Sequence, residues 1–347
     1  MAAIDQLIFS VGLVALSAIT TWVMLCVRIL DVPNHRSSHE RPIANSGGAS
    51  IVLTVYSGMW IAYLWSGGLP IGTKAVAAIG LSALVLVLAG LLDDLKLLRS
   101  FKSKLAAQVL ACGMLLYFDI RIDRFDLPFF GTLHLGLWAY PVTLCWVLGF
   151  TNIYNFMDGL DGLAAGTALL AAACMGLIMI GAGGEFLFLT SVILFSAISG
   201  FFFFNFPRAR IFMGDVGSQF LGYVFAALGV VAAQHEPGGA VGYVVPLLFF
   251  HFLYDGIFTF FRRLLAGENV TQAHRKHLYQ LLNQIGYSHA RVSLLHFAMV
   301  LWQALGAFLL VRGTIPEPGW VLPPYLLLQS IYAVLVIRAA RRRGLVA

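Results

Sequence analysis

Residues 75–94 read AVAAIGLSALVLVLAGLLDD, so eighteen apolar or small residues run directly into two aspartates, Asp93 and Asp94. A helix needs about 20 such residues to cross the hydrocarbon core of a bilayer, and the chain offers stretches of this kind repeatedly. Over its 347 residues the chain is 60% hydrophobic and 11% charged, with a mean hydropathy of +0.86. A soluble domain has about 45–50% apolar and about 25% charged residues. The sequence therefore predicts an all-α integral membrane protein.

The apolar stretches predict about eleven transmembrane helices within a single polytopic unit that covers residues 1–347. Neither an internal repeat nor a linker between two domains is visible in the sequence. The predicted spans are residues 7–30, 48–66, 75–92, 105–118, 138–155, 163–182, 186–204, 217–233, 241–261, 291–311 and 321–338.

The basic residues predict the orientation of these spans. With eleven spans the connecting segments alternate between two sides, and one side receives eighteen of the 22 Lys and Arg residues. The other side receives only Lys74, Arg121, Arg124 and Arg312. Because Lys and Arg accumulate in cytoplasmic loops, we expect the N-terminus outside and the C-terminus inside. The first basic residue, Arg28, follows the first apolar run, which predicts a retained helix rather than a cleaved signal peptide.

The cysteines and the net charge argue against several classes of protein. Cys26, Cys112, Cys145 and Cys174 lie in apolar stretches without Cys-x-x-Cys spacing. We therefore expect buried free thiols and neither a disulfide framework nor a zinc site. The net charge of +6 contains no basic low-complexity tract. It is explained by membrane orientation, and we expect no nucleic-acid partner.

Two connections contain enough apolar residues to form structure of their own. On the outside, residues 119–136 alternate apolar and charged residues around a turn, which predicts a short hairpin. On the inside, residues 262–290 carry an apolar stripe at helical spacing. A helix lying in the membrane interface and a helix packed on the bundle explain this stripe equally well. The residues of the stripe are Leu278, Leu281, Leu282 and Ile285.

Five aspartates fall at the cytoplasmic mouths of the predicted spans, beside the basic loops. Charged groups near a bilayer are costly and usually functional. Five carboxylates at one face repel one another unless cations or hydrogen-bond donors lie among them. Mg²⁺ prefers oxygen ligands and commonly completes its shell with substrate phosphate, so we expect Mg²⁺, with Mn²⁺ as a substitute. These residues are Asp93, Asp94, Asp158, Asp161 and Asp215.

Each acidic motif also has a plainer explanation. The pair Asp93-Asp94 is also explained as a solvated helix end balanced by nearby lysines. The segment Asn152-Ile-Tyr-Asn155-Phe-Met-Asp158-Gly-Leu-Asp161-Gly162 offers several oxygen and amide groups, but an ordinary capped loop is the alternative. The segment Gly214-Asp215-Val-Gly-Ser218 begins a span, where backbone N–H groups favour anions. Asp215 as a simple N-cap is the alternative there.

Two inside loops are basic. His274-Arg275-Lys276-His277 lies in the longest one, and a solvated basic patch and a phosphate or sugar contact are both open explanations. The first inside loop, Asp31 to His39, has similar chemistry and the same ambiguity. Asp255 lies within a predicted span, and we interpret it as the partner of a neighbouring polar group rather than as part of a site.

Taken together, these motifs resemble the polyprenyl-phosphate N-acetylhexosamine-1-phosphate transferases of the glycosyltransferase family 4 type. The resemblance covers residues 31 to 280 and follows the family's order of motifs. An Asp-Pro-Asn loop is followed by the Asp-Asp pair, by Asn-x-x-Asp-Gly-x-Asp-Gly, by Phe-Met-Gly-Asp-x-Gly-Ser and by a histidine-rich loop. The last motif departs from the triple histidine of the peptidoglycan enzyme. It is more similar to the O-antigen-initiating branch, which argues against a muramyl-pentapeptide substrate.

The resemblance implies a reaction at the cytoplasmic face of a bacterial inner membrane. A UDP-N-acetylhexosamine, or a deoxy sugar such as UDP-N-acetylfucosamine, gives its sugar 1-phosphate to undecaprenyl phosphate and releases UMP. Direct attack by the lipid phosphate and a phospho-enzyme intermediate are both open, and we favour direct attack because the acceptor is already an anion. The expected partners are the two substrates and the bilayer, and a homodimer is one option for the assembly.

The resemblance also implies roles for individual residues. Asp215 and Asn155 are expected to hold the metal ion. A group of charged residues is expected to be catalytic, with Asp93 or Asp94 deprotonating or orienting the lipid phosphate: Asp93, Asp94, Asp158, Asp161 and Lys104. A second group is expected to bind the substrates: Asn152, Asn155, Asn205, His274, Arg275 and His277.

Two other classes of membrane protein also use acidic residues. An intramembrane aspartyl protease needs Gly-x-Gly-Asp, but Phe212 stands where the first of those glycines would be. An ion-coupled transporter usually places its carboxylates near the middle of the bilayer. Apart from Asp255, the aspartates here lie at the inside mouths, so the transferase is the preferred interpretation.

Overall fold

The computed structural model describes residues 3–27, 29–31, 42–66, 69, 72–97, 100–127, 131–235, 239–270, 272 and 274–346. Almost all of the first predicted inside loop, Asp31 to His39, lies outside these residues. The described part of the chain is a multi-pass bundle of α-helices with two short antiparallel strand pairs. The predicted all-α membrane class is therefore confirmed.

Thirteen helices and four strands form within the described residues. The helices are α1 (Ala3–Val27), α2 (Gly48–Ser66), α3 (Thr73–Asp94), α4 (Phe101–Tyr117), α5 (Ala139–Phe156), α6 (Leu163–Met179), α7 (Glu185–Asn205), α8 (Gly214–His235), α9 (Val244–Leu248), α10 (Phe250–Leu265), α11 (Leu278–Gln284), α12 (His289–Val311) and α13 (Leu322–Arg342). The strands are β1 (Leu30–Asp31), β2 (Ile43–Ala44), β3 (Arg124–Leu127) and β4 (Gly131–His134).

Each predicted span coincides with a helix or, for residues 241–261, with the bent pair α9 and α10. By length and apolarity, seven helices in the described part of the chain are able to cross a membrane, or eight if the bent pair is one span. The helices α4, α5 and α6, of 17 or 18 residues, fall outside this set. The number of eleven spans and their orientation therefore stay predictions.

Helix α8 lies at the centre of the bundle and is buried along almost its whole length. It packs against α2, α3 and α5, while α1, α6 and α7 form a neighbouring layer. The outer helices expose large apolar side chains such as Leu7 of α1 and Leu327 of α13. Such faces are stable against lipid and not against water. The exposed apolar faces of the outer helices are therefore expected to contact lipid, while α8 and its neighbours form the core.

The two structured connections can be compared with their predictions. Strands β3 and β4 pair from Arg124 with His134 to Leu127 with Gly131, so the predicted hairpin is confirmed. On the other side, Leu278, Leu281 and Leu282 of α11 are buried against the bundle. Of the two explanations for that apolar stripe, the structure supports packing on the bundle.

The ninth predicted span is broken. Helices α9 and α10 meet at Phe249 with a bend of 64°. Beyond the bend α10 packs against α5, α11, α12 and α13, while Ile257, Phe261 and Leu265 are exposed on its outer side. The four cysteines are free, as predicted, but Cys26 and Cys145 are exposed on helix faces rather than buried.

Candidate active site

The site begins where the end of α3 meets the start of α8. A Cβ atom on Gly90 would lie within 2.9 Å of the Asp215 backbone, so only glycine lets the two helices approach this closely. Gly214, the first residue of α8, has φ +68°, a conformation that side chains with a Cβ rarely adopt. Both glycines are thus needed to place Asp215 beside the Asp93-Asp94 pair.

Asp94 stabilises the first turn of α8. Its Oδ1 accepts from the amide of Asp215 at 3.1 Å, and its Oδ2 accepts from the amide of Val216 at 3.3 Å. The Asn45 side chain donates a third hydrogen bond at 3.2 Å. The first amides of a helix have no partner within the helix, so the Asp94 carboxylate satisfies them. Its negative charge is also stabilised by the positive end of the dipole of α8.

Asp93 faces a different partner, although it is the next residue along the chain. The Nζ atom of Lys104, in the first turn of α4, lies 2.8 Å from Asp93 Oδ2. The same ammonium group also pairs with Asp215. All three side chains remain about a fifth to a quarter exposed, so they are accessible from one side. Lys104 therefore joins two of the predicted acidic residues, and Asp93 rather than Asp94 presents its carboxylate to the opening.

Asp158 lies close to this group, in the turn between α5 and α6. Among the described residues no side chain or amide donates to its carboxylate. Burial, followed by the negative charges of Asp215 and Asp94, raises the pKa of Asp158 from 3.8 to about 7. A carboxylate that lies near two other carboxylates and accepts no hydrogen bond would stabilise a cation beside it.

Amide side chains extend the site along α4, α5 and α8. Asn155 Oδ1 accepts from the Ser218 hydroxyl at 2.5 Å, which fixes the end of α5 to the first turn of α8. Asn152 Nδ2 donates to Gln108 at 2.8 Å, and Gln108 donates to Gln219 at 3.4 Å. Gln219 then donates to Asp215 at 3.4 Å, so the predicted Asn152 reaches the acidic group through two glutamines.

Sequence reasoning missed Gln108, Gln219 and Asn45. A usable signal existed for the glutamines, because each lies four residues after a charged residue already selected, Lys104 or Asp215. Residues at that spacing share one helix face. No comparable signal exists for Asn45, which reaches Asp94 because the segment before α2 pairs with the segment before α8. Gly47 and Gly48 donate backbone hydrogen bonds to Phe212 and Met213 there.

Two predicted site residues lie elsewhere. Asp161 accepts from the amide of Ala209 at 3.1 Å and pairs with His289 at 3.2 Å. Asn205 is buried and holds the same region together, because it accepts from Gly162 at 3.0 Å and donates to Ile211 at 2.9 Å. Both side chains connect the turn after α5 to the segment before α8. Their described contacts do not include Asp93, Asp158 or Asp215.

The basic loop before α11 lies against the turn that carries Asp158. The Tyr279 hydroxyl donates to the carbonyl of Phe156 at 2.7 Å. The ring of His277 lies 6.0 Å from that of Phe156 and 4.9 Å from that of His274. Burial, followed by the nearby His277 and Arg263, lowers the pKa of His274 to about 4. His274 is therefore neutral at pH 7 and suits a hydrogen bond to a sugar better than an ion pair with phosphate.

The donor set fits a hard divalent cation. Carboxylates of Asp93, Asp158 and Asp215 and the amide of Asn155 supply oxygen, which Mg²⁺ prefers. Within the described residues, no three Asp, Glu, His or Cys side chains already converge on one metal position. Lys104 lies between Asp93 and Asp215 instead and neutralises part of their charge. Asp158 lies near the negative charges of Asp215 and Asp94, and a divalent cation would balance this excess of negative charge.

Comparison with known proteins defines the class. The family described as glycosyl transferase family 4 matches residues 76–233. A probable undecaprenyl-phosphate N-acetylglucosaminyl 1-phosphate transferase of Bacillus subtilis is 30% identical over 312 residues, which are 88% of this chain and 85% of that protein. A decaprenyl-phosphate N-acetylglucosaminephosphotransferase of Mycolicibacterium smegmatis is 33% identical over 332 residues, 86% of this chain and 80% of that protein. A putative dolichyl-phosphate enzyme of Sulfolobus acidocaldarius is 31% identical over 252 residues, 70% and 73% of the two chains.

The chain belongs to glycosyl transferase family 4. Within that family it is a phospho-N-acetylhexosamine transferase that acts on a polyprenyl phosphate, as the order of motifs predicted. The narrower resemblance to the O-antigen-initiating branch stays a prediction.

Proposed function

We propose that this protein transfers a sugar 1-phosphate from a UDP-N-acetylhexosamine to undecaprenyl phosphate and releases UMP. The observation that carries this proposal is the arrangement of Asp93, Lys104 and Asp215 at the ends of central membrane helices. One cation held between two accessible carboxylates, next to a third carboxylate at Asp158, suits a reaction between two phosphates. The names of the bacterial relatives support a polyprenyl phosphate as acceptor and an N-acetylhexosamine phosphate as the transferred group.

In the proposed reaction, an oxygen of the lipid phosphate attacks the sugar-bearing phosphorus of the donor. The bond from that phosphorus to the UMP oxygen breaks, so a lipid-linked diphosphosugar and UMP result. Phosphoryl transfer depends mainly on positioning and on charge neutralisation. Asp93 is placed to orient the acceptor phosphate or take its proton, and Lys104 to stabilise the phosphate charge. We favour direct attack because the acceptor is already anionic.

Mg²⁺, with Mn²⁺ as a substitute, is the proposed cofactor. Such an ion would supply positive charge that neutralises the donor phosphates. Asp215 and Asn155 are the proposed ligands, since Asp215 lies in the first turn of α8 and the Asn155 side chain contacts Ser218 there. Asp161 and Asn205 are proposed to support this turn from behind rather than to contact substrate, which revises the roles that the resemblance implied.

A long apolar cavity supports a polyprenyl acceptor. The cavity has a volume of about 870 Å³ and runs beside the bent helix α10. Phe250, Phe258 and Phe261 line it, and Arg262 lies at its end nearest the basic loop. Arg262 also donates to the carbonyl of Lys276 at 2.5 Å, so the end of the cavity adjoins that loop. We propose that the prenyl chain lies in this cavity, while its phosphate binds at Asp93 and Lys104.

The finer predictions join this proposal. We propose one polytopic unit of eleven spans in a bacterial inner membrane, with an outside N-terminus, an inside C-terminus and a cytoplasmic active site. The donor is proposed to be a deoxy-N-acetylhexosamine such as UDP-N-acetylfucosamine, and the product to begin O-antigen or another surface polysaccharide. His274, Arg275 and His277 are proposed to contact the sugar or its phosphates. The proposed assembly is a homodimer.

The structure does not support the two alternatives, an ion-coupled transporter and an intramembrane aspartyl protease. A coupling carboxylate of a transporter must exchange its ion with a water-filled path. Asp255, the aspartate inside a span, is instead 1% exposed and hydrogen-bonded to the loop before α11. For a protease, the residues around Asp215 form a capped helix start next to Lys104 rather than a pair of facing aspartates.

One experiment tests the proposal directly. The purified protein is incubated with Mg²⁺, undecaprenyl phosphate and a panel of UDP-N-acetylhexosamines, and UMP is measured. We expect UMP release that requires both the lipid phosphate and the metal and that differs among donors. Release of UMP without the lipid, or its absence with every donor, contradicts the proposed function.

A further inference from the structure

We propose that Asp255 is a positioning residue that orders the donor-facing loop, an inference that rests on the proposed transferase function. Asp255 lies in α10, within a predicted span, and is 1% exposed. It touches none of the residues assigned to the metal or to the acceptor. Its contacts instead lead to the loop that contains His274, Arg275 and His277, so it acts through that loop.

Four donors converge on the Asp255 carboxylate. The amides of Leu278 and Tyr279 donate at 2.9 and 3.2 Å, and the Nδ1 atom of His277 lies at 3.1 Å. The Thr259 hydroxyl, one turn further along α10, donates at 2.9 Å. Three of the four donors thus come from the loop and the first turn of α11, and only one comes from α10 itself.

The environment explains why this residue is an aspartate. A carboxylate is costly to bury unless donors satisfy it, and a carboxamide in its place would turn an NH₂ group toward other donors. The two amides belong to the first turn of α11, where they have no helical partner. Asp255 therefore fixes both the start of α11 and the ring of His277 relative to a rigid membrane helix.

The anchored segment leads on to the acidic group. The amide of Tyr279 donates a hydrogen bond to Asp255, and its hydroxyl donates a hydrogen bond to the carbonyl of Phe156 in the last turn of α5. A Cβ on Gly159 would lie 2.3 Å from the Tyr279 oxygen, so the tyrosine fills the space beside Asp158. Asp255, Tyr279 and Phe156 thus connect α10 to the turn that carries Asp158.

A second anchor holds the other end of the loop independently. Buried Arg263 pairs with Glu268 at 2.9 Å and donates to the carbonyl of Asn269 at 2.7 Å. Lys276 pairs with the same Glu268 at 2.5 Å. Loss of the Asp255 contacts is therefore expected to loosen residues 274–284 without releasing residues 266–270, and the helices should keep their packing.

The test compares Asp255→Asn with Thr259→Val, which removes the one donor that does not belong to the loop. In the full-length protein, hydrogen exchange of residues 274–284 should accelerate in Asp255→Asn and stay at the wild-type rate in Thr259→Val. The KM for the UDP-sugar should rise roughly tenfold or more in Asp255→Asn, the usual effect of losing hydrogen bonds to a charged group. The KM for undecaprenyl phosphate should stay within about twofold, since no acceptor contact changes.

Each result decides the inference. Unchanged exchange and an unchanged donor KM overturn it, and so does an equal rise in both KM values, which indicates general damage. If Asp255→Asn does not yield folded protein, Tyr279→Phe removes only the contact with Phe156. Its donor KM should also rise, and a wild-type value overturns the inference. Absence of UMP release by the wild-type protein refutes the transferase instead, while the exchange rates still decide whether Asp255 orders the loop.

Discussion

The ammonium group of Lys104 in α4 lies 2.8 Å from the carboxylate of Asp93 in α3, eleven positions earlier in the chain. The same group pairs with Asp215. Without Lys104, the carboxylates of Asp93, Asp158 and Asp215 would lie close together at the start of the buried helix α8. Lys104 is therefore the cation that lets this acidic group exist before any substrate or metal binds.

Replacement of Lys104 should severely reduce turnover. We expect Lys104→Gln to lower kcat by roughly 10²–10³, the usual effect of losing one group that stabilises charge in the transition state. Lys102→Gln is the matched control, because Lys102 is exposed in the same first turn of α4. UMP release under saturating substrates measures both variants. Equal activity of the two variants would contradict the role of Lys104.

Asp93 and Asp94 should respond differently to the same substitution. Asp93→Asn is expected to lower turnover while calorimetry shows nearly unchanged UDP-sugar binding, because Asp93 serves the acceptor phosphate. Asp94→Asn is expected to destabilise the protein by about 1–2 kcal/mol, because Asp94 satisfies amides at the start of α8. Thermal unfolding in detergent measures the second effect.

Two outcomes would reverse these assignments. A stable Asp94→Asn protein with unfolding unchanged from wild type would remove the capping role. A parallel loss of donor affinity and rate in Asp93→Asn would place Asp93 on the nucleotide side of the reaction.

Asp215 should act through the metal ion. We expect Asp215→Asn to lower turnover by roughly 10²–10³ and to raise the Mg²⁺ concentration needed for half-maximal rate. The negative charge of Asp215 is lost while its shape is kept. A titration of rate against Mg²⁺, in wild type and variant, gives the answer. A variant with nearly wild-type rate at limiting Mg²⁺ refutes the assignment.

The stability of the metal-free protein should depend on pH through Asp158. Because the pKa of Asp158 is raised to about 7 in the folded protein, the folded state binds this proton more tightly than the unfolded chain. Its contribution to stability therefore falls as pH rises from about 4 to about 7 and changes no further above that. Asp158→Asn should reduce this slope, as measured by unfolding temperatures in a chelator between pH 5 and pH 8. An identical slope in both proteins contradicts the expectation.

The orientation can be tested with single cysteines in a background without the four native ones. We expect Lys102→Cys and Arg342→Cys to be protected from an impermeant reagent in intact cells, and Lys74→Cys to react. The reason is the eighteen-to-four distribution of basic residues between the two sides. Reaction at Arg342→Cys without reaction at Lys102→Cys would mean that an odd number of spans separates the two residues. That result would contradict the predicted orientation.

Much of the fold is local information and was predictable. A span such as α3 can be predicted from sequence because about 20 consecutive apolar residues are stable only inside a membrane or a protein core. The bend at Phe249 was not predictable in the same way, because both halves of residues 241–261 are apolar. The break is visible only in the folded structure, as the 64° angle between the two helices.

The site was predictable as a set of residues but not as a set of roles. Aspartates at helix ends are visible in a sequence because charges at a membrane surface are rare. The sequence cannot tell Asp93 from Asp94, since the difference depends on which of them faces the amides of a helix that starts 120 residues later. It also cannot show the structural contacts of Asp161 and Asn205, because Asp161 meets Ala209 and Asn205 meets Gly162 only in the folded chain.

With the prenyl chain placed beside α10 as proposed, the bend between α9 and α10 would give the two substrates separate routes to the site. The cavity beside α10 is bordered by Ile257, Phe261 and Leu326, all exposed on the outer surface of the bundle. A hydrophobic molecule already dissolved in the leaflet can therefore enter sideways, by diffusion in two dimensions. A water-soluble nucleotide sugar must instead come from the aqueous phase. The two reactants then never compete for one entrance, and the lipid product can return to the leaflet while UMP leaves into water.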